Sequence, residues 1–557
     1  MDNNNAIYMK KTLKTFAAAL MAVAAVACAS PEKMAKMADA VKVSCNPSVL
    51  EVVNDQIFAT VTVDCPKDYF NPKVIMEVTP VIVYEGGEAA MKPFKYQGDK
   101  VKDNYKVISS QGQKVTEQLK FDYVEGMEKC FLELRSRVIA GNKSINLPSK
   151  KVADGANTTY MLVKRNGDVS FKPDAYKDII TSTTEGQIKY LVNSSEVRNS
   201  ELKGDSVKEF LAALEAIEKD ERATITGTEI VAYASPEGAE DRNNKLSGDR
   251  SASANKAWDK VTKGHETVDP SVRSVGEDWE GFQQLVAESD IEDKDLILRV
   301  LSMYSDPAVR ENEIRNMSQV YTALKGEVLP ELRRARLIAN VEYKNYTNEE
   351  LLELLDQNAD ILDEEALLRA ASVVKDNAKK ENIYKKAVER YGSDRAQYNL
   401  AVTYLNEGKG AQAEQALAKV KANDADVLNA KGVLALRNND LETAETYFRQ
   451  AAGNADAKAN LGIVQLLTGR YDEAVESLKD KKGCCNNTVL AYILTDQLDK
   501  AAAAVHCKDT RVQYLKAIIA ARQGDAQRVK DNLANAFASD EWKARAARDV
   551  EFAGYEF

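Results

Sequence analysis

Small side chains recur along the last third of the chain at a nearly fixed interval, and that interval restricts the fold more than any other feature. Ala401, Gly432 and Gly462 lie 31 and 30 residues apart, and Ala413, Ala444 and Ala474 follow each of them by 12. Leu417, Phe448 and Leu478 come four residues later again. This period reads as paired helices: a small residue on each helix lets the two approach closely, and the large apolar residue fills the gap to the next pair. Weaker units continue through Leu490–Val505 and Tyr514–Phe537, and one precedes at Glu365–Tyr391. Residues 346–557 are therefore predicted to be an all-α solenoid of five or six helix pairs, whose concave groove suits a peptide or partner protein.

The opposite end of the chain sets the expected compartment. Lys10, Lys11 and Lys14 precede the apolar run Phe16–Ala27, and Ala25-Val26-Ala27 stands directly before Cys28. A basic start, a short apolar stretch and small residues before the cut make residues 1–27 a secretory signal peptide. The run of about 12 apolar residues is too short to span a bilayer. The same residues resemble a lipoprotein signal, with Cys28 as the lipidated first residue; ordinary cleavage after Ala27 is the other option. The expectation is an exported protein on the periplasmic face of the outer membrane, attached by lipid only. An oxidising compartment also allows a disulfide between Cys45 and Cys65, which flank the first predicted strand pair. Cys484, Cys485, His506 and Cys507 match no standard zinc spacing, so a disulfide or buried thiols is expected there and no metal.

Between these ends lie two further regions. Residues 41–172 read as an all-β sandwich. Ile57, Ala59, Val61 and Val63 alternate with Phe58, Thr60 and Thr62, the period of a half-buried strand. Val74–Tyr84 is β-rich but broken by Pro80, and Phe131–Ile139 ends at Gly141-Asn142. Asn166-Gly167, between Tyr160–Val163 and Val169–Phe171, predicts a hairpin because both residues tolerate positive φ. Residues 175–345 then switch to α+β alternation. Ile188, Tyr190 and Val192 alternate on a strand, and Ser206 with Glu209 forms a capping box. Val207, Phe210, Leu211, Leu214 and Ile217 make the helix stripe that follows, and Ala223–Tyr233 is the next strand.

Composition argues against chemistry. The 557 residues carry a net charge of −10 and only two histidines, His265 and His506. Multi-histidine metal centres are thereby excluded, and a phosphate backbone is disfavoured as the main partner. No nucleophile elbow, phosphate-binding loop or dinucleotide fingerprint occurs in a strand–helix setting. Neither an enzymatic activity nor a cofactor is expected.

Two resemblances sharpen this reading. Asn460–Leu478, NLGIVQLLTGRYDEAVESL, resembles the tetratricopeptide repeat, although the repeats here run 30 to 31 residues where the family has 34. Residues 232–251, AYASPEGAEDRNNKLSGDRS, resemble the C-terminal domain of outer-membrane protein A. Gly238, Asn243, Leu246, Ser247 and Arg250 fall at the family positions without a gap. That resemblance implies a peptidoglycan-associated βαβ fold over about 170 residues, in which the arginine and an aspartate hold the charged ends of diaminopimelate. Arg250 corresponds to the arginine; Ser235 stands where the family has the aspartate, with Glu237 two residues on as a carboxylate near the site and Asn243 on the same helix face as Arg250. About 55 helical, charged residues, roughly 277–333, interrupt this OmpA-like domain, and Arg333-Arg334-Ala335-Arg336 at their end is expected to pair with nearby acids.

The sequence thus predicts a non-catalytic envelope lipoprotein that tethers or scaffolds, touching peptidoglycan or a retuned ligand through the middle domain and proteins through the repeat groove. The alternative is an envelope assembly or export factor that uses the repeats and keeps the OmpA-like domain as scaffold. A periplasmic hydrolase with an unrecognised site ranks behind both.

Overall fold

The computed structural model describes residues 31–557 except 292 and 484. The signal peptide, Cys28 and Cys484 lie outside the described residues. The chain forms two compact units, one running to Lys172 and resuming at Asp394–Phe557, the other spanning Pro173–Ser393.

The first unit opens with a short helix, α1 (Pro31–Lys36), and eleven strands: β1 (Lys42–Val53), β2 (Gln56–Cys65), β3 (Ile75–Tyr84), β4 (Gly87–Ala90), β5 (Phe94–Gly98), β6 (Lys106–Ile108), β7 (Gln113–Asp122), β8 (Phe131–Ala140), β9 (Lys143–Asn146), β10 (Lys150–Asp154) and β11 (Ala156–Asn157). They make two sheets, ordered β11-β1-β2-β7 and β10-β8-β3-β5-β6, with β4 and β9 added beside β3 and β8. Asn54 and Asp55 both adopt positive φ, the tight turn that suits a twisted two-residue hairpin. Ile57, Ala59 and Val61 are buried as the alternation predicts, and Phe58 is exposed. Pro80 does not break its strand. It falls between the stretch of β3 that pairs with β5 and the stretch that pairs with β4, a gap where a missing N–H leaves no ladder bond unmade.

The second unit contains a four-stranded sheet of β12 (Ile179–Lys189), β13 (Ala223–Ala234), β14 (Ser271–Glu277) and β15 (Arg334–Lys344), ordered β12-β15-β13-β14. Helix α2 (Asp205–Glu218) joins β12 to β13, and α3 (Glu240–Val261) joins β13 to its parallel neighbour β14. Phe210, Leu214 and Trp258 from these helices pack on Ile188, Ile230 and Leu337 of the sheet. Ser206 does not cap α2: the helix starts one residue earlier, and the Ser206 hydroxyl accepts the Gln187 N–H at 3.0 Å. The insertion before β15 is four helices, α4 (Trp279–Glu288), α5 (Lys294–Met303), α6 (Pro307–Asn316) and α7 (Ser318–Glu327), with a core of their own around Phe282, Val286, Ile297 and Leu324. Helices α8 (Asn348–Asn358), α9 (Glu364–Val373) and α10 (Asn377–Tyr391) complete this unit. The first repeat pair therefore clusters with the α+β domain, and the division falls at 393/394 where the sequence suggested 345/346.

Returning to the first unit, the solenoid proper comprises α11 (Asp394–Asn406), α12 (Gly410–Leu417), α13 (Ala425–Arg437), α14 (Leu441–Gln450), α15 (Ala455–Leu467), α16 (Tyr471–Leu478), α17 (Asn486–Leu494), α18 (Leu498–Ala503), α19 (Thr510–Arg522), α20 (Ala526–Ala536) and α21 (Asp540–Ala546). Asp424, Asp440, Asn454, Asp509 and Asp525 each accept a first-turn N–H of the helix they precede, which fixes where each helix begins. A Cβ on Gly432 would lie 2.5 Å from a Phe448 ring carbon, and one on Gly462 would lie 2.6 Å from Leu478. The small residues of the repeat are thus the places where the second helix of the same pair presses on the first.

Candidate functional site

The predicted hairpin at 160–171 does not form. Thr159–Leu162 is a single 3₁₀ turn, and residues 163–172 belong to no helix or strand. Gly167 takes a positive φ of 65° but Asn166 does not, so only half of the expected turn is present and no second strand follows it. The segment instead runs along the solenoid, in the direction opposite to the repeats.

Buried side chains replace the absent strand. Asn487 accepts the Lys164 N–H at 2.8 Å and donates to the Lys164 carbonyl at 2.9 Å. Asn460 does the same for Asp168, at 2.8 Å in both directions. Asn399 does it for Lys172, at 2.8 and 2.9 Å. Asn429 adds a 3.0 Å donation to the Asp168 carbonyl and accepts from Asn460 at 2.8 Å. All four amides are buried. An asparagine side chain carries one acceptor and two donors, so it can satisfy the N–H and C=O of one residue as a neighbouring strand would.

Further donors follow the same alternation. Arg511 reaches the Leu162 carbonyl at 2.8 Å, Arg437 that of Asn166 at 2.6 Å, and the Tyr398 hydroxyl that of Ser170 at 3.0 Å. The main-chain groups held are those of residues 162, 164, 166, 168, 170 and 172. Every second residue faces the groove, as along a strand, although the chain turns at 165–166 and Gly167 takes a positive φ. Three side chains add selectivity: Asp168 pairs with Lys481, the Ser170 hydroxyl donates to Asp456 at 2.6 Å, and Lys172 pairs with Asp424 beneath the Tyr398 ring. A Cβ at position 167 would meet Val433 at 2.9 Å, so the groove leaves no room for a side chain there.

Sequence reasoning missed these asparagines, although Asn399 and Asn460 each stand two residues before a small residue of the repeat, Ala401 and Gly462, and Asn429 three before Gly432. Polar residues at a fixed phase of a helical repeat are buried only where something polar must be met, and that was the available signal.

The residues predicted from the sequence to form a ligand site do come together, in the second unit. Ser235, Glu237, Asn243 and Arg250 line a polar cavity of about 600 Å³. Their roles differ from the expected ones. Arg250 is 1% exposed and gives its donors to backbone carbonyls: Nε to Ser194 at 3.0 Å, one terminal nitrogen to Tyr233 at 2.8 Å and the other to Leu191 at 3.2 Å. Burial pushes its guanidinium down to about 10. Ser235 donates to Glu237 at 2.7 Å, Glu237 pairs with Arg333 at 2.9 Å, and Asn243 donates to Gly238 and Glu277. The cationic lining is Arg242, Arg250, Arg315, Lys325 and Arg333, against the single acid Glu237. The basic cluster ending the insertion pairs with acids: Arg333 with Glu237 and Arg336 with Glu185 from the domain body, and Arg334 with Asp278 at the start of the insertion.

Cys45 and Cys65 are not brought together. Cys45 stands opposite Val61 in the β1–β2 register, and Cys65 is four residues further along β2, roughly 13 Å at the rise of a strand, beyond disulfide reach. Cys485, His506 and Cys507 do converge, with their ligand atoms within 4.8 Å of one another and the two sulfurs 3.1 Å apart. The His506 ring nitrogens lie against the carbonyl oxygens of Ala504, at 2.9 Å, and of Gly483, and a neutral imidazole can donate to only one of them. No helix among the described residues is long and apolar enough to cross a membrane.

Residues 395–419 and 455–479, which are α11–α12 and α15–α16, match the tetratricopeptide repeat family. The solenoid carries tetratricopeptide repeats. Solved structures similar to the chain include a tetratricopeptide repeat protein from Parabacteroides merdae (15% identity over 35% of this chain and 88% of that one, TM-score 0.29). They also include the Pseudomonas aeruginosa pilF product (15%, 36% and 95%, 0.27) and yeast Tom70 (11%, 64% and 80%, 0.26). A comparison with curated proteins returned no match.

Proposed function

We propose that the protein is a non-catalytic scaffold of the cell envelope that holds extended polypeptide in its tetratricopeptide groove. The observation that carries this reading is the ladder of buried asparagines, because it grips the main chain of an extended segment from both its N–H and C=O sides. Such recognition gives affinity through the backbone and leaves selectivity to a few side-chain contacts. Crosslinking in cells tests it: partners joined to the wild-type protein and absent with Asn429→Ala/Asn460→Ala support the reading, and an unchanged set removes it.

The envelope part of the reading rests on the signal-like residues 1–27 and on Cys28 as a lipid attachment point. Mass spectrometry of the mature N-terminus is its test, an acylated Cys28 being the expected result. The central unit is read as an OmpA-like module, supported by the ASPEG turn between β13 and α3 and by the strand–helix order around it. Sedimentation with purified peptidoglycan tests that assignment, and protein left in the supernatant would remove it. The lining of the cavity favours a second reading for this unit. With Arg250 committed to carbonyls, Arg333 paired with Glu237 and Arg315 with Glu311, the lining still carries Arg242 and Lys325 beyond its one acid, and so suits a multiply charged anion better than the zwitterionic end of diaminopimelate. A rise in melting temperature with millimolar citrate or pyrophosphate, lost in Arg242→Gln/Lys325→Gln, would favour the second reading over the first.

A further inference from the structure

The asparagine ladder is already occupied, and its occupant is part of the same chain. Residues 162–172 fill it, fixed upstream where Arg545 donates to the Thr158 carbonyl at 2.9 Å and the Tyr160 hydroxyl meets Asp55 at 2.7 Å. A partner peptide must therefore compete with a tethered one. A segment anchored beside its site acts at an effective concentration on the order of millimolar or more. A free peptide of equal intrinsic affinity at about 10 μM then occupies on the order of 1% of the grooves.

Resting on the peptide-holding reading above, we propose that the chain's own residues 162–172 keep the groove closed in the resting protein. It opens only to an extended partner segment of the same pattern: glycine, then an acid, a hydroxyl residue two positions on, and lysine or arginine two beyond that. The pattern follows from the contacts. Glycine is required where Gly167 meets Val433, and at its φ of 65° any other side chain is strained. The acid faces Lys481, the hydroxyl faces Asp456, and the cation faces Asp424 under Tyr398. The remaining positions are held by their main chain and accept any side chain that tolerates an extended backbone.

The experiment uses the full chain and a fluorescent peptide of residues 162–173, LVKRNGDVSFKP, followed by anisotropy. Gly167→Val/Asp168→Lys loosens the internal segment and leaves every groove residue intact. The expected result is binding at least 50-fold tighter to this variant than to the wild type, abolished by adding Asn460→Ala. Equal binding to both proteins would show an open groove, overturning the closure and leaving the peptide-holding reading intact. No binding to either would overturn both. Lys481→Glu provides an independent arm at a more accessible pair: it should prefer the peptide with lysine replacing the aspartate, and unchanged preference would overturn the proposed pattern.

Discussion

Asn460 holds Asp168 from both sides of its peptide unit, accepting the N–H and donating to the C=O at 2.8 Å each, across 292 residues of sequence. The amide is fully buried, so neither group has water as a substitute partner. Asn460→Ala should therefore remove three hydrogen bonds, the one to Asn429 included, and strand the Asp168 N–H while its carbonyl keeps Asn429, a loss of about 2–4 kcal/mol. Asn429→Ala should cost less, because the Asp168 carbonyl keeps its bond to Asn460. Urea unfolding of the two variants, followed by tryptophan and far-ultraviolet signals, gives the ranking.

Arg250 should behave as a structural residue. Its guanidinium joins three backbone carbonyls, and a lysine ammonium on a flexible stem cannot reproduce that planar fork. Arg250→Lys and Arg250→Met should each destabilise the α+β unit by about 2–4 kcal/mol. Thermal unfolding monitored with each variant reads this directly; a lysine variant as stable as wild type would contradict it.

The repeat spacing has a steric test. Gly432→Ala gains about 1 kcal/mol of helix propensity but places a methyl 2.5 Å from the Phe448 ring, where overpacking costs about 1–3 kcal/mol. The net effect should be destabilising, and Gly432→Ala/Phe448→Leu should recover part of the loss. A double-mutant cycle measures the coupling.

These residues also show how much of the molecule was legible in its sequence. The small residues Ala401, Gly432 and Gly462 announced the helix pairs because close helix approach is a local demand repeated at a fixed interval. The alternation at Ile57–Val61 announced its strand for the same reason. Asn166-Gly167 misled because a positive φ specifies a turn and not what the turn's arms bind; their partners lie 227 to 323 residues away in the groove. Arg250 was correctly placed on one helix face with Asn243, but no sequence pattern could say that three carbonyls would consume its donors. The division at 393/394 was equally hidden, since one more helix pair reads alike whichever unit it joins.

Acid should loosen the solenoid through one identifiable group. Two hydrogen bonds from Arg470, at 2.8 and 2.6 Å, hold Glu445 well below the ordinary carboxylate range, at about 2, and so tie neighbouring helix pairs. A depressed acid contributes stability above its unfolded value and loses it as pH falls toward the folded one. The melting temperature of the solenoid should therefore drop between about pH 4.5 and 2, and Glu445→Gln should flatten that part of the profile. Scanning calorimetry across this range gives the answer.

Amide hydrogen exchange on the intact protein tests the central claim most directly. The N–H groups of Lys164, Asp168 and Lys172 donate to buried asparagine oxygens, and the segment around them belongs to no helix or sheet. The account predicts that these three amides exchange as slowly as those of the solenoid helices. In Asn460→Ala the Asp168 amide should lose protection by at least 30-fold. Exchange at all three positions as fast as in an exposed loop would contradict it.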